Sequence, residues 1–223
     1  MKKKVDRDIQ QDVACELAWD TRVSPVEIGI AVKDGIVILT GSVKSWAEFR
    51  AVGDAAHRVG GVLDVVNDLS VQTSANNQRT DTEIAGAVRH ALEWDVTVPE
   101  MQIRSTVSHG TVTLEGSVAL WSERADAERA VERLTGVKRV INHIEVQPGQ
   151  AVDVAAAHKA VERALERHAE REAGHINLQA ADGAVTVKGT VQTWSERDAV
   201  VGAIRGTRGV HRVVNELVLQ PQD

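Results

Sequence analysis

The chain has 223 residues, 43% of them hydrophobic and 26% charged, as in an ordinary globular protein. Its net charge of −6 excludes a global basic field of the kind that gathers nucleic acid or anionic lipid. Five Trp, one Phe and no Tyr leave any core to Val, Ile, Leu and Ala, and the lone Cys15 excludes an intramolecular disulfide.

The N-terminus is basic, like the start of a signal peptide. Asp6, Arg7, Asp8 and Asp12 then occupy the place where its apolar run would stand. No window is apolar enough to span a bilayer. With the single thiol, these features predict a cytoplasmic chain.

The first predicted helix carries Ile9, Val13 and Leu17 at i, i+4 and i+8, with Trp19 off that stripe and so expected to be exposed. A strand follows with Ile28, Ile30 and Val32 on one face. Asp34-Gly35 suits a tight hairpin in which glycine takes positive φ. The second strand turns Val37 and Leu39 inward and ends at Gly41, where a missing side chain permits a bulge or a close helix approach. Ser45 stands as a helix N-cap with Glu48 at capping-box spacing, and Trp46 at the first helical position closes the core over the sheet edge.

The second helix carries Val52, Ala55, Ala56 and Val59, and Gly61 is expected at its left-handed C-terminus. A third strand carries Val65, Leu69 and Val71. Asn67 shares their phase, and its amide is expected to tie the strand to a neighbouring loop.

This whole pattern occurs three times. Trp46, Trp121 and Trp194 are 75 and 73 residues apart, and the same two intervals relate Gly35, Gly110 and Gly183. They also relate Gly41, Gly116 and Gly189; Gly61, Gly136 and Gly209; and Asn67, Asn142 and Asn215. Trp19 recurs as Trp94, and Arg167 takes its place in the third copy. The units run over 5–73, 80–147 and 151–220. The helix between the second and third strands is long enough for a right-handed crossover, which makes those strands parallel. The reading is α+β: three tandem αββαβ units, each a three-stranded mixed sheet with two helices on one face.

The first unit departs from the others on its outer sheet face, where Ile36 and Ile38 stand in place of Thr111 and Thr113 or Ala184 and Thr186. A sheet covered on one side should alternate, so this face is expected to be buried against another unit or another chain, as in a homo-oligomer. Charge also differs between units. Residues 5–73 hold 6 Lys/Arg against 11 Asp/Glu, residues 80–147 hold 7 against 11, and residues 151–220 hold 9 against 9. An anionic membrane would therefore meet the third unit, where Arg205, Arg208, His211 and Arg212 cluster.

Chemistry is sparse. No nucleophile elbow, zinc-protease or paired-cysteine motif occurs, and "GAVTVKGT" reads as a strand rather than a phosphate loop. His158, His168 and His175 lack metal-ligand spacing and read as solvent-facing, so no metal or cofactor is expected. The acidic balance argues against a nucleic-acid partner.

The segments "VKDGIVILTGSV…GGVLDVVNDLSV", "VSHGTVTLEGSV…TGVKRVINHIEV" and "AADGAVTVKGTV…RGVHRVVNELVL" resemble the BON domain. His109 replaces the turn Asp and Ala180 a strand Val. The resemblance implies a bacterial module associated with osmotic stress, envelope maintenance and phospholipid binding, with no catalytic residues. Three roles stay open: a module for phospholipid or a membrane-associated partner, a cytoplasmic potassium-responsive binder, and a structural module for multivalent contact. In the first, Trp19, Trp94, Arg205, Arg208 and Arg212 are the contact candidates.

Overall fold

A computed structural model describes residues 4–74, 77–99, 102–147, 154–166 and 176–220. The first repeat comprises α1 (Asp6–Trp19), β1 (Ile28–Lys33), β2 (Ile36–Val43), α2 (Trp46–Arg58) and β3 (Asp64–Val71). The second comprises α3 (Asp81–Trp94), β4 (Ile103–Ser108), β5 (Thr111–Val118), α4 (Trp121–Glu132) and β6 (Arg139–Val146). The third comprises α5 (Val154–Glu166), β7 (Asn177–Ala181), β8 (Ala184–Val191), α6 (Trp194–Arg205) and β9 (Arg212–Leu219). Each repeat holds its own three-stranded sheet with the second strand in the centre. The chain divides into two compact units, Lys2–Ser117 with Glu123–Glu145, and Val118–Ser122 with Val146–Asp223.

The apolar periodicities set this arrangement. Ile9, Val13 and Leu17 of α1 pack with Val52, Ala55 and Ala56 of α2 onto Val37 and Leu39 of β2, all fully buried. Each Val, Leu and Ile among them contributes about 1.5–3 kcal/mol by leaving water. The third repeat repeats the scheme with Ala157, Val161, Val185, Val187, Val200 and Ile204. The β1–β2 hairpin is antiparallel, and the α2 crossover makes β2 and β3 parallel; β7–β8 and β8–β9 follow suit.

Both residues of each hairpin turn have positive φ: Asp34 at 53° with Gly35 at 79°, His109 at 52° with Gly110 at 78°, and Asp182 at 48° with Gly183 at 78°. These type I′ turns match the strand twist, and His tolerates the left-handed region well enough to replace Asp. A carboxylate at the first helix's start clamps the turn. Asp6 accepts from the Asp34 and Gly35 N–H groups at 2.8 and 2.9 Å, and Asp81 does the same for His109 and Gly110. Those two amides, Gly110 first, hold the Asp81 carboxyl below its ordinary range.

Several local expectations need correction. Gly61 does not end α2. The helix stops at Arg58 because Val59 and Val62 turn into the core, and Gly61, at φ 97°, serves the turn between them. Gly41 is approached closely, though not by an α-helix: it faces the backbone of Glu27, which ends a short 3-10 turn (Pro25–Glu27) just before β1. Asn67 donates to the Phe49 carbonyl in α2 rather than to a loop, and Asn142 donates to the Arg124 carbonyl in α4. Each of these asparagines, and Asn215, also accepts from the N–H two residues on, at Leu69, Ile144 and Leu217.

Ser45 and Thr193 cap their helices, accepting from Glu48 and Glu196 N–H at 3.1 Å. The reciprocal half of the box is shifted by one residue: Glu48 reaches the Lys44 N–H and Glu196 the Gln192 N–H. A complete capping box closes α3 instead, between Thr80 and Glu83.

Candidate functional site

Trp19 lies two residues beyond Leu17, about 200° around the helix from it, so burying the Ile-Val-Leu stripe drives the indole outward. Trp94 stands in the same relation to Leu92. Both indoles are 84% exposed. Their counterpart Arg167 lies outside the described residues.

One residue past Trp19 the chain forms a charged knot. Asp20, only 8% exposed at its side chain, accepts from Arg22 Nε at 2.9 Å and Nη2 at 2.7 Å, and from Arg58 Nη2 at 3.0 Å. Arg58 Nε donates to Glu16 at 2.8 Å. The Arg22 hydrogen bonds, assisted by Arg58, hold the Asp20 carboxyl far below its ordinary value of 3.8. A carboxyl lowered by folding adds stability above its unfolded value and loses it as the pH falls toward the folded one.

Because both guanidiniums stay exposed, the knot ranks between a surface and a buried pair, and Asp20→Asn should cost about 1–2 kcal/mol at neutral pH. In urea melts, that difference should shrink as the pH drops below about 3.8. A deficit independent of pH would dismiss the charge and leave only packing.

The basic residues of the third repeat do not form one free patch. Arg205, at the end of α6, lies over the Trp121 ring at 4.8 Å from its centroid, a cation–π contact that occupies the guanidinium. His211 is half-buried against the β7–β8 turn, its N–H donating to the Gly183 carbonyl at 3.0 Å. Arg208 and Arg212 are exposed. The signature tryptophans serve packing: Trp46 stacks on Phe49 at 4.8 Å with 9° between planes, and Arg197 covers Trp194 at 4.6 Å.

A cavity of about 330 Å³ in the second repeat is lined by Arg79, Thr80, Asp81, His109 and Lys138 among others. Its carboxylate is already committed to the turn amides. Among the described residues no three His, Cys, Asp or Glu side chains gather as metal ligands would, and His158 is exposed. His168 and His175 lie outside the described residues. Among the described residues, no helix is long and apolar enough to cross a membrane.

Sequence reasoning missed two groups. The Asp6 and Asp81 clamps share the 75-residue interval and so carried a signal. Glu132, in α4, gave none. Burial pushes its carboxyl up, with Arg50 opposing and Glu128 assisting, where Arg50 of α2 bonds Glu128 of α4 at 2.8 Å.

Three copies of one αββαβ unit, each closing its own core, make this a tandem-repeat α+β protein. The BON domain model matches residues 5–73, 80–148 and 153–221. The chain belongs to the BON domain family, whose members are generally non-enzymatic binding proteins. It is 25% identical over 146 residues to the Osmotically-inducible protein Y of Escherichia coli (strain K12), covering 64% of this chain and 73% of that protein. It is 28% identical over 120 residues to the "Uncharacterized protein in gshII 5'region" of Anaplasma centrale, covering 51% and 79%. A solved structure of CdsD, a structural protein of the type III secretion system of Chlamydia trachomatis, aligns over 97% of this chain and 94% of its own. It does so at 14% identity with a TM-score of 0.25.

Proposed function

We propose that this chain is a non-enzymatic binding protein that associates with an anionic phospholipid surface under osmotic or general stress. The observation that carries the reading is the pair of indoles, Trp19 and Trp94, 84% exposed at the same position of consecutive repeats. An amphipathic ring at a helix end suits the headgroup boundary, and two on linked repeats act with a raised effective concentration. The relative named for osmotic induction supports the setting.

The first two repeats are acidic, so indole insertion rather than bulk charge must drive the association. Co-sedimentation with vesicles of mixed anionic and zwitterionic lipid should therefore persist as salt rises. Trp19→Ala with Trp94→Ala should weaken binding by about tenfold or more. Arg208→Glu with Arg212→Glu should have a smaller effect, confined to low salt. Wild-type-like binding by the double tryptophan variant would dispose of the proposal.

A further inference from the structure

The strand registers of the first repeat lay out its outer sheet face as three rows. Lys33, Ile36 and Asp64 share one row; Ala31, Ile38 and Val66 the next; Gly29, Thr40 and Asp68 the third. Ile36 is 39% exposed and Val66 42%, and Ile38 is half-buried between Ala31 and Val66. The centre of this face is thus apolar and open, with a cation on the β1 edge and two carboxylates on the β3 edge.

The corresponding faces of the other repeats are built differently. β5 presents Thr111 and Thr113, and β8 presents Ala184 and Thr186. In the third repeat the charges on neighbouring strands neutralise each other, Lys188 bonding Glu216 at 2.8 Å. In the first repeat Lys33 and Asp64 stand on the two edge strands, about 9–10 Å apart at the backbone, with Ile36 between them. Lys33 makes no ion pair among the described residues.

We infer that this face pairs with a second copy of the chain, about a two-fold axis running along β2. That rotation stacks Ile36 on Ile36 and Ile38 on Ile38, and sets small Ala31 against larger Val66. It carries Lys33 of each copy over Asp64 of the other, joining across the interface the charges that β2 keeps apart within it. The other in-plane axis, across the strands, would set Asp64 against Asp68 and is repelled. A residue pattern that satisfies itself under one rotation is what an isologous interface requires. The two carboxylates on the rim disfavour an anionic lipid surface as occupant, so this face acts apart from the tryptophans.

The footprint is small. Three strands by three rows bury on the order of 800 Å² in total, below the roughly 1,200 Å² of a stable complex, so the dimer is weak and concentration-dependent.

The test is sedimentation equilibrium of the full chain from about 5 to about 500 µM at low salt, where a dissociation constant on the order of 100 µM is expected. Lys33→Asp alone or Asp64→Lys alone should weaken dimerisation by about tenfold, since each sets like charges face to face. The double exchange should return it to within about threefold of wild type, because the swapped rows obey the same two-fold rule. Ile38→Lys should abolish it. A monomer at every concentration, a dimer untouched by Ile38→Lys, or a double exchange as weak as its parents would overturn the inference. So would a monomeric wild type whose vesicle binding Ile38→Lys removes, which would assign the face to lipid.

Discussion

Gly41→Ala is expected to unfold the first repeat or bring it to the edge of unfolding. Gly41 sits at φ 115°, where an L side chain is strained, and a Cβ there would lie 2.0 Å from the Glu27 carbonyl oxygen and 3.2 Å from its carbon. The obstacle is backbone, so no rotamer change relieves it. Glu27 cannot retreat either, because the next residue, Ile28, pairs with Gly41 and opens the β1–β2 ladder. The strain of the dihedral adds about 1–3 kcal/mol to the cost of prising the ladder open. A total of about 3–5 kcal/mol is a large part of the 4–10 kcal/mol expected for a domain of this size. Gly116 repeats the device at φ 138°, with the Gln102 oxygen 2.0 Å from its Cβ position.

Gly86→Ala is the internal contrast. It lies inside α3 with nothing within 4 Å of its Cβ position and should stabilise the second repeat by up to about 1 kcal/mol. Guanidinium melts of the three proteins, with hydrogen exchange assigning the repeat that opens, decide the matter. A Gly41→Ala protein that melts like the wild type would mean the β1 entrance is not as close as 2.0 Å.

The pattern of legible and illegible features follows from range. The constant interval between Trp46, Trp121 and Trp194, the Ile9-Val13-Leu17 stripe and the Asp34-Gly35 turn are local, and each repeat's αββαβ order follows from them. So do the Ser45 and Thr193 caps, three residues from the Glu48 and Glu196 N–H groups they accept from. The apolar strip Ile36–Ile38 is also visible along one strand. Its charged frame is not, because Lys33 and Asp64 become neighbours of Ile36 only once the crossover sets the β2–β3 register.

The end of α2 is hidden from the sequence for a similar reason. Gly61 does take positive φ, but burial of Val59 pulls the chain out of α2 earlier. Asn67 read as a strand-to-loop tie because the sequence does not show that α2 passes over β3. Trp19 and Trp94 stand off the apolar stripe in the sequence itself, whereas the Asp20 knot joins Glu16, Asp20 and Arg22 to Arg58, more than thirty positions on.

Glu48 shows how a short-range motif acquires a long-range duty, and its removal should carry the second large penalty. The residue is only 7% exposed. One oxygen accepts from Ser24 N–H at 2.7 Å, in the connection after α1; the other accepts from Lys44 N–H at 2.8 Å, ahead of α2. The charge also sits in the first turn of α2, where the helix dipole favours it. Three segments of the first repeat therefore meet on one side chain.

Glu48→Gln keeps the shape but offers one acceptor oxygen, so its NH₂ must face one of the two N–H donors and leave it unsatisfied. The cost should be about 2–3 kcal/mol, and Glu48→Ala, which orphans both, should cost about 3–5 kcal/mol. Amide exchange at Ser24 and Lys44 separates this from a general loss of packing. In Glu48→Gln those two amides should lose protection ahead of the core amides of Val37 and Leu39. If all four weaken together, the carboxylate stabilises only by filling space, and the two hydrogen bonds carry little of the fold's free energy.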